Sequence, residues 1–290
     1  MIPQEIADSL AFYFSHSGEV PFILHSSVPL SGGCINNVHR LSTNRGDFCL
    51  KYNRSALFPE MFEREADGLS LLRKTGEIRV PEVVCSGYAG PYAYLLLEFI
   101  QSGRKISKFM DDFGRSLARL HRHTADAFGN NRDNYMGALL QQNKYHKDWV
   151  SFFIEERLEP QVLLGKKYFS SSSISCFERL YNRLGEFLPN EPPALLHGDL
   201  WSGNLMVSAE GKACLIDPAV YYGNREVDLA MTTLFGGFES SFYDAYLEEF
   251  PLNKGWQERL DIYNLYPLLI HLNLFGSGYL GAVEQIIRRF

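Results

Sequence analysis

The residue pattern of the sequence changes after about one hundred residues, and this change limits the folds that the chain can adopt. Up to residue 101, short runs of β-branched and aromatic residues alternate with turn residues, which is typical of strands. From residue 102 onward, apolar residues such as Phe109, Phe113 and Leu117 recur at helical spacing. The pattern predicts an α+β protein with a β-rich N-terminal lobe (1–101) and a mainly helical C-terminal lobe (102–290). We expect a small ligand to bind in a cleft between them.

Charge and composition narrow the class of partner. The formal net charge is −6 and the basic residues are scattered, which disfavours nucleic acid. The N-terminus has no cationic segment before its apolar residues, so no secretory signal is expected. The uncharged stretch 262–283 contains a proline, a histidine and three glycines, so it predicts a buried helix and a turn and not a membrane span. Five cysteines without a CxxC pair indicate reduced thiols in a cytoplasmic protein.

Two segments with turn residues mark the β-rich part. SGGCINN lies between two predicted strands, and its Gly32 and Gly33 would let backbone amides approach phosphates closely. An ordinary hairpin with two glycines has the same pattern, and no GK[ST] follows, so this is not a Walker loop. NRGD (44–47) predicts a hairpin. Farther along, the serine-rich segment 170–175 predicts an exposed connection.

A lysine and a glutamate in the β-rich part form a predicted pair. Lys51 lies in the strand pattern FCLKYN, from which it would reach nucleotide phosphates or, alternatively, protect a sheet edge. The helical pattern over 60–74 has Phe62, Leu69 and Leu72 on its apolar stripe, and Glu65 lies near the centre of that stripe. An inward carboxylate needs a partner, so we expect Glu65 to pair with Lys51 and fix it.

The loop HGDLWSGN (197–204) carries the candidate chemistry of the helical part. Asp199 is placed to take or orient the proton of an attacking hydroxyl, and Asn204 to offer an amide oxygen to a metal. Asp217 follows a short strand pattern and adds a carboxylate suited to Mg²⁺. His197 is predicted to hold the loop. A hydrogen-bonded turn and a zinc hydrolase are the alternatives, but the latter lacks HExxH and a supporting His/Cys set.

The order of these elements resembles the protein-kinase-like fold: Gly-rich hairpin, strand Lys, helix Glu, HxDxxxxN, Asp. The catalytic loop has HGD where protein kinases have HRD, and Pro218 follows Asp217 where they have Phe-Gly. No APE follows either. The missing activation segment points to the aminoglycoside/choline-kinase-like branch, whose members phosphorylate small molecules.

Within that branch the chain resembles the fructosamine kinase (ketosamine 3-kinase) family from about the first strand to the C-terminus. The resemblance is carried by GGCINN, MFEREADGLSLL, NYMGALLQQN, HGDLWSGN, LIDPAVYYG and HLNLFGSGY. It implies ATP- and Mg²⁺-dependent phosphorylation of the third-carbon hydroxyl of ketosamines, free or protein-bound. The phosphorylated adduct is then lost, so the implied role is deglycation.

The resemblance also implies residue roles. Asp199 would be the catalytic base, with Asn204 and Asp217 as metal ligands. Nucleotide binding would involve Gly32, Gly33, Lys51 and Glu65, with Glu98, Phe99 and Ile100 forming the hinge.

Three further residues receive less specific interpretations. Trp201 is expected to stack on the substrate, although packing the loop onto the helical lobe explains it equally well. Asp228 is predicted to brace the catalytic loop. Cys34, beside the predicted phosphate-facing amides, is a candidate redox thiol, and the alternative is a small buried cysteine.

Other functions remain possible on the sequence. A kinase acting on another small hydroxylated amine, such as choline or an aminoglycoside, is the main alternative. A nucleotide-binding scaffold without turnover is disfavoured because Lys51, Glu65, Asp199, Asn204 and Asp217 are all present. A non-kinase hydrolase is the weakest alternative.

Overall fold

A computed structural model describes residues 1–16, 21–30 and 35–290. The chain forms two compact units. Unit 1 comprises Met1–Ile106 and Met206–Ile216, and unit 2 comprises Ser107–Leu205 and Asp217–Phe290. The mixture of a β-sheet unit and a largely helical unit confirms the predicted α+β class. The lobe boundary after residue 101 stays a prediction.

The strands are β1 (Leu24–Pro29), β2 (Asn37–Thr43), β3 (Gly46–Arg54), β4 (Val83–Ala89), β5 (Tyr92–Glu98), β6 (Asn134–Met136), β7 (Leu139–Gln141), β8 (Ala194–Leu196), β9 (Leu205–Val207), β10 (Ala213–Leu215) and β11 (Tyr221–Gly223). The α-helices are α1 (Gln4–Ser15), α2 (Met61–Thr75), α3 (Phe109–Leu120), α4 (Trp149–Phe152), α5 (Glu159–Leu164), α6 (Ser171–Phe187), α7 (Glu226–Leu234), α8 (Ser240–Glu249), α9 (Trp256–Phe275) and α10 (Leu280–Ile287). A π-helix, Phe153–Leu158, joins α4 to α5.

Unit 1 is built on a five-stranded antiparallel sheet in the order β1-β2-β3-β5-β4. The hairpin predicted at 44–47 joins β2 to β3 and is confirmed by their pairing from Asn37↔Tyr52 to Thr43↔Gly46. Gly46 has φ 103°, a left-handed value that glycine adopts without the steric cost of a side chain. Because β3 lies between β2 and β5, its Lys51 is not on a sheet edge.

Helix α1 covers one face of this sheet, and the sequence analysis did not predict it. Its Ile6, Leu10 and Phe14 are buried and belong to one apolar cluster with Leu50 of β3 and Leu96 of β5. The helix therefore supplies the apolar partner that a sheet face needs in order to leave water.

Helix α2 follows the predicted stripe: Phe62, Leu69 and Leu72 are buried. The helix ends at Gly76, which has φ 70° and whose N–H donates to the Arg73 carbonyl. A left-handed glycine after the last turn is a frequent way to end a helix.

Residues 206–216 belong to unit 1, although they lie far along the chain. They carry the β9–β10 hairpin, which is tied to the N-terminal part by an antiparallel bridge of Ser102 with Ser208 and a parallel bridge of Arg79 with Cys214. The chain thus enters unit 1 just after Asn204 and leaves it just before Asp217.

Unit 2 is a helical assembly around one large apolar cluster. The cluster includes Trp149, Phe177, Tyr263 and Leu269 among its buried members. Helices α3 and α8 approach closely at Gly114, where an added Cβ would lie 2.2 Å from the carbonyl oxygen of Phe242. A larger residue at 114 would separate the two backbones.

One segment was predicted wrongly. Residues 170–175 are not an exposed connection, because α6 begins within them and Ser173 is buried. The Ser170 hydroxyl accepts a hydrogen bond from the Ser173 N–H at 3.1 Å and caps the helix. Serine is a favoured N-cap residue, so the serines here mark a helix start.

No helix among the described residues is both long and apolar enough to cross a membrane.

Candidate active site

The loop 197–204 in unit 2 starts at the end of β8, which pairs with β11. His197 is fully buried, and its carbonyl accepts the Ala219 N–H at 2.9 Å. Gly198 has φ 82°, and an added Cβ would lie 2.1 Å from the Ala219 carbonyl oxygen. Both the backbone conformation and the close approach require glycine, so the G of HGD fixes how the loop passes residue 219.

Asp228, in the first turn of α7, holds the start of this loop. Its carboxylate accepts the backbone N–H of His197 at 2.8 Å and that of Gly198 at 2.9 Å. His121 Nε2 lies 3.2 Å from Asp228 Oδ2, and His121 Nδ1 lies 2.8 Å from the Tyr246 hydroxyl. A carboxylate only accepts hydrogen bonds, so His121 Nε2 is the donor to Asp228.

The electrostatics of Asp228 follow from these contacts. Burial alone would raise its pKa, but the hydrogen bond and charge of His121, the charge of His197 and the Gly198 N–H outweigh burial and lower the pKa. Asp228 is therefore an ionised carboxylate enclosed by donors.

Asp199 is held by its neighbours in the loop. Its backbone N–H donates to Nδ1 of His197 at 3.3 Å. The Asn204 amide nitrogen donates to the Asp199 carbonyl oxygen at 2.8 Å and to its carboxylate Oδ2 at 3.0 Å. Burial raises the pKa of Asp199 to about 7, the charges of Asp217 and Asp228 act in the same direction, and the hydrogen bond from Asn204 opposes them. The carboxylate thus exchanges a proton near neutral pH.

Asn204 and Asp217 have the donor chemistry of a magnesium site. Asn204 directs its amide nitrogen to Asp199, so its amide oxygen is the atom that a cation would use. Asp217 is exposed and has φ 56°. No group of three or more His, Cys, Asp or Glu side chains suited to a metal occurs among the described residues. Two oxygen donors nevertheless suit Mg²⁺, which commonly takes one or two protein ligands together with substrate phosphates.

In unit 1, Lys51 and Glu65 form an ion pair. Lys51 Nζ lies 2.5 Å from Glu65 Oε1, and the two side chains are 6% and 12% exposed. Lys51 comes from the interior strand β3 and Glu65 from α2. The pairing expected from the sequence is present, and it offsets the cost of burying either charge.

The predicted hinge residues lie at the end of β5. The Glu98 carboxylate accepts Arg79 Nη2 at 2.6 Å and the Glu82 N–H at 3.2 Å. The Arg40 guanidinium lies 4.8 Å from the centre of the Phe99 ring, and Ile100 is buried. Their role in nucleotide binding stays a prediction. Gly32, Gly33 and Cys34 lie outside the described residues.

Trp201 is half-buried beside the loop. Its ring covers Gly203, where an added Cβ would lie 2.4 Å from the indole, and it packs edge-on against Phe235 at 5.7 Å between centroids. It contacts the main apolar cluster of unit 2. The expected packing is thus present, and a substrate contact stays a prediction.

Sequence reasoning missed His121 and Tyr246. His121 is fully buried at the end of α3, 107 positions before Asp228. A polar residue at the end of an apolar stripe, in LARLH, was the available signal, because a buried imidazole needs a partner.

Known structures define the class of protein. A structure described as a "putative fructosamine-3-kinase" from Haemophilus somnus matches 98% of this chain and 96% of its own, with TM-score 0.86 and 29% identity. An aminoglycoside phosphotransferase in complex with AMP-PNP and hygromycin B matches with TM-score 0.64 at 14% identity, covering 97% of this chain and 98% of its own. The fold is that of the protein-kinase-like phosphotransferases.

Sequence comparison then gives the family. The family model described as fructosamine kinase matches residues 7–290, and the chain belongs to the fructosamine kinase family. A probable ketoamine kinase of Enterococcus faecium is 41% identical over 268 residues, 91% of this chain and 94% of that protein. The chloroplastic protein-ribulosamine 3-kinase of Arabidopsis thaliana is 38% identical over 264 residues, 89% of this chain and 80% of that protein. The resemblance predicted from the motifs is confirmed.

Proposed function

We propose that this protein transfers the γ-phosphoryl group of ATP to the third-carbon hydroxyl of ketosamines and so starts their removal from amines. The observation that carries the proposal is Asp199, a carboxylate held by Asn204 with a pKa of about 7, in a chain of the fructosamine kinase family. A base whose pKa lies near the working pH is ionised often enough to act and basic enough to accept a proton.

In the proposed reaction Asp199 accepts the proton of the acceptor hydroxyl. The hydroxyl oxygen forms a bond to the γ-phosphorus as the bond from that phosphorus to the β–γ bridging oxygen breaks, and ADP leaves. Asn204, through the hydrogen bond from its amide nitrogen to Oδ2, fixes the direction of the Asp199 carboxylate. His197 and Asp228 keep the loop backbone in place.

Mg²⁺, held by the Asn204 amide oxygen and the Asp217 carboxylate together with ATP, would neutralise charge on the phosphates. In unit 1, Lys51 would bind phosphate oxygens, and Glu65 would keep the ammonium group in a fixed position. Trp201 would offer an aromatic face to the apolar side of the sugar or amine.

An acceptor panel tests the proposal. ADP release is measured with ATP, Mg²⁺ and each of ribulosyl-lysine, fructosyl-lysine, choline and an aminoglycoside, and ³¹P NMR locates the phosphate in the product. We expect turnover with a ketosamine and phosphorylation on the third carbon. The matched control is the 3-deoxy ketosamine, which lacks only the accepting hydroxyl and should give no ADP above background.

Two results would contradict the proposal. Turnover with choline or the aminoglycoside alone would assign the chain to another small hydroxylated amine. Tight ATP binding without ADP release for any acceptor would favour a nucleotide-binding scaffold.

A further inference from the structure

The segment NYMGALLQQN (134–143) carries buried amide side chains, among them those of Asn134 and Gln141. Strands β6 and β7 form a two-stranded hairpin in which Asn134 lies opposite Gln141. The turn between them contains Gly137 with φ 62°. Asn134 is 7% exposed and Gln141 is 1% exposed. Two buried amides must find partners, and their partners show what the hairpin does.

The two amides bind consecutive carbonyls just after Asp217. Gln141 Nε2 donates to the Ala219 carbonyl oxygen at 3.0 Å, and Asn134 Nδ2 donates to the Val220 carbonyl oxygen at 2.8 Å. Gln141 Nε2 also donates to Asn134 Oδ1 at 2.8 Å, while Gln141 Oε1 accepts the Tyr266 hydroxyl at 3.0 Å. Both protons and the oxygen of the Gln141 amide are therefore engaged, so its orientation is fixed.

Behind the amides lies a fully buried arginine. Arg157 Nη2 donates to Asn143 Oδ1 at 2.7 Å, and Asn143 Nδ2 donates to Asn134 Oδ1 at 3.0 Å. The Arg157 guanidinium also lies 4.0 Å from the centre of the Tyr221 ring, and Tyr221 directly follows Val220 in the chain. The amides of Asn134, Gln141 and Asn143 are hydrogen-bonded through both nitrogen and oxygen, and buried polar groups that are satisfied in this way are rigid.

The segment that this network holds contains an unfavourable backbone conformation. Asp217 has φ 56°, which is uncommon for a residue with a side chain. Pro218 follows, and a proline further restricts the residue before it. Such a conformation persists when the surrounding structure enforces it. Here the Ala219 N–H is bound to the His197 carbonyl at 2.9 Å, and the carbonyls of Ala219 and Val220 are bound by the two amides.

We propose that Gln141 and Asn134 are positioning residues for phosphoryl transfer, because their amides hold the carbonyls of Ala219 and Val220 and so keep Asp217 in its left-handed conformation. The inference rests on the proposed function, in which the Asp217 carboxylate binds the metal that accompanies ATP. Without the amides, the backbone after Asp217 would gain freedom and the carboxylate would lose its fixed position.

Direct metal binding tests this. Mn²⁺ replaces Mg²⁺, and its binding to the full-length protein with AMP-PNP is followed by electron paramagnetic resonance, which requires no turnover. Gln141→Met keeps the side-chain length and removes the donors. Because loss of a group that orients a metal ligand typically costs about 10- to 100-fold in metal affinity, we expect Mn²⁺ to bind that much more weakly. With enzyme assays, kcat should fall while KM for the ketosamine stays unchanged.

Gln161→Met is the matched control. Gln161 is also a buried glutamine of unit 2 (4% exposed), and its Oε1 accepts Asn273 Nδ2 at 2.9 Å. Its hydrogen bonds with Asn273 do not involve residues 217–220, so we expect Mn²⁺ affinity within about twofold of wild type, since distant substitutions act independently. Comparable thermal destabilisation of both variants with weakened Mn²⁺ binding only in Gln141→Met would support the positioning role.

Unchanged Mn²⁺ binding in the variants would overturn the inference. If Gln141→Met binds Mn²⁺ as wild type does while losing stability, the hairpin is purely structural and the inference is overturned. If Gln141→Met does not fold, Tyr266→Phe decides, because it removes only the hydroxyl that orients Gln141, and unchanged Mn²⁺ affinity would then overturn the inference. Failure of the wild-type nucleotide complex to bind Mn²⁺ would instead contradict the proposed function.

Discussion

Units 1 and 2 both have exposed ion pairs but differ in the charged side chains that they bury. Most ion pairs of unit 1 have exposed members: the Arg73 and Glu82 side chains are 51% and 61% exposed, and Arg79 and Glu210 are 37% and 60% exposed. Among the described residues of unit 1, Lys51 with Glu65 is the buried pair. Within this part of the chain, the charged pair that leaves the surface is the one with a predicted role toward phosphates.

In unit 2 the first turn of α7 carries two buried carboxylates, while Arg157 and Glu156 are buried elsewhere. Asp228 and its partner His121 have fully buried side chains, and Glu226 is fully buried beside Arg259. Burial raises the pKa of Glu226 although Arg259 acts to lower it, whereas the donors around Asp228 lower the pKa of that carboxyl. Negative charge at a helix N-terminus is favourable. The buried charge of Asp228 therefore supports the loop that carries Asp199.

The largest expected effect is a loss of kcat when the proposed base Asp199 is replaced, compared with a replacement of Glu65, which positions Lys51. Asp199→Asn removes the proposed base, so kcat should fall by roughly 10²- to 10⁴-fold, the range of general base catalysis. Glu65→Gln should instead raise KM for ATP and lower kcat less, because Lys51 loses only its fixed position. Steady-state kinetics measure both, and thermal shifts with AMP-PNP show whether Asp199→Asn still binds nucleotide. Similar changes of kcat and KM in the two variants would contradict the assignment of proton transfer to unit 2 and of phosphate positioning to unit 1.

A smaller effect concerns stability. Asp228→Ala leaves the N–H groups of His197 and Gly198 and the His121 imidazole without their acceptor. The free energy of unfolding, measured with urea, should fall by about 3–5 kcal/mol, as when one member of a buried pair is removed. The control is Asp261→Ala, since Asp261 pairs with Arg289 through side chains that are 54% and 49% exposed. Equal losses in the two variants would show that burial does not distinguish these carboxylates.

The pH dependence of this loss has a defined sign. The pKa of Asp228 is lowered in the folded protein, so the ionised carboxylate stabilises the fold above its unfolded pKa of about 3.9. That contribution is lost as the pH falls through the folded value. The difference in unfolding free energy between wild type and Asp228→Asn should therefore shrink below about pH 4. A constant difference across that range would contradict an ionised Asp228.

The distance along the chain between interacting residues explains which contacts the sequence predicted and which it missed. Periodicity indicates which face of an element is apolar, so the helix over 60–74 and its inward Glu65 were predictable from residues a few positions apart. The contacts of Asp228 with His121 and of Gln141 with Ala219 join residues 107 and 78 positions apart. No local pattern states which distant backbone an inward polar side chain will meet. The roles of the site residues stay predictions.

The smallest expected effect is the change in the free energy of unfolding when the exposed ion pair of Arg73 and Glu82 is removed. Arg73 Nη2 lies 2.8 Å from Glu82 Oε2, yet both side chains keep their contact with water. An exposed pair gains little Coulomb energy and loses side-chain freedom, so Arg73→Ala should change the free energy of unfolding by less than about 1 kcal/mol. The remaining difference should diminish further at 1 M salt, where the Debye length is about 3 Å. A loss above about 2 kcal/mol, unaffected by salt, would place this pair with the buried supports of unit 2, and burial would then no longer explain which charges stabilise the protein.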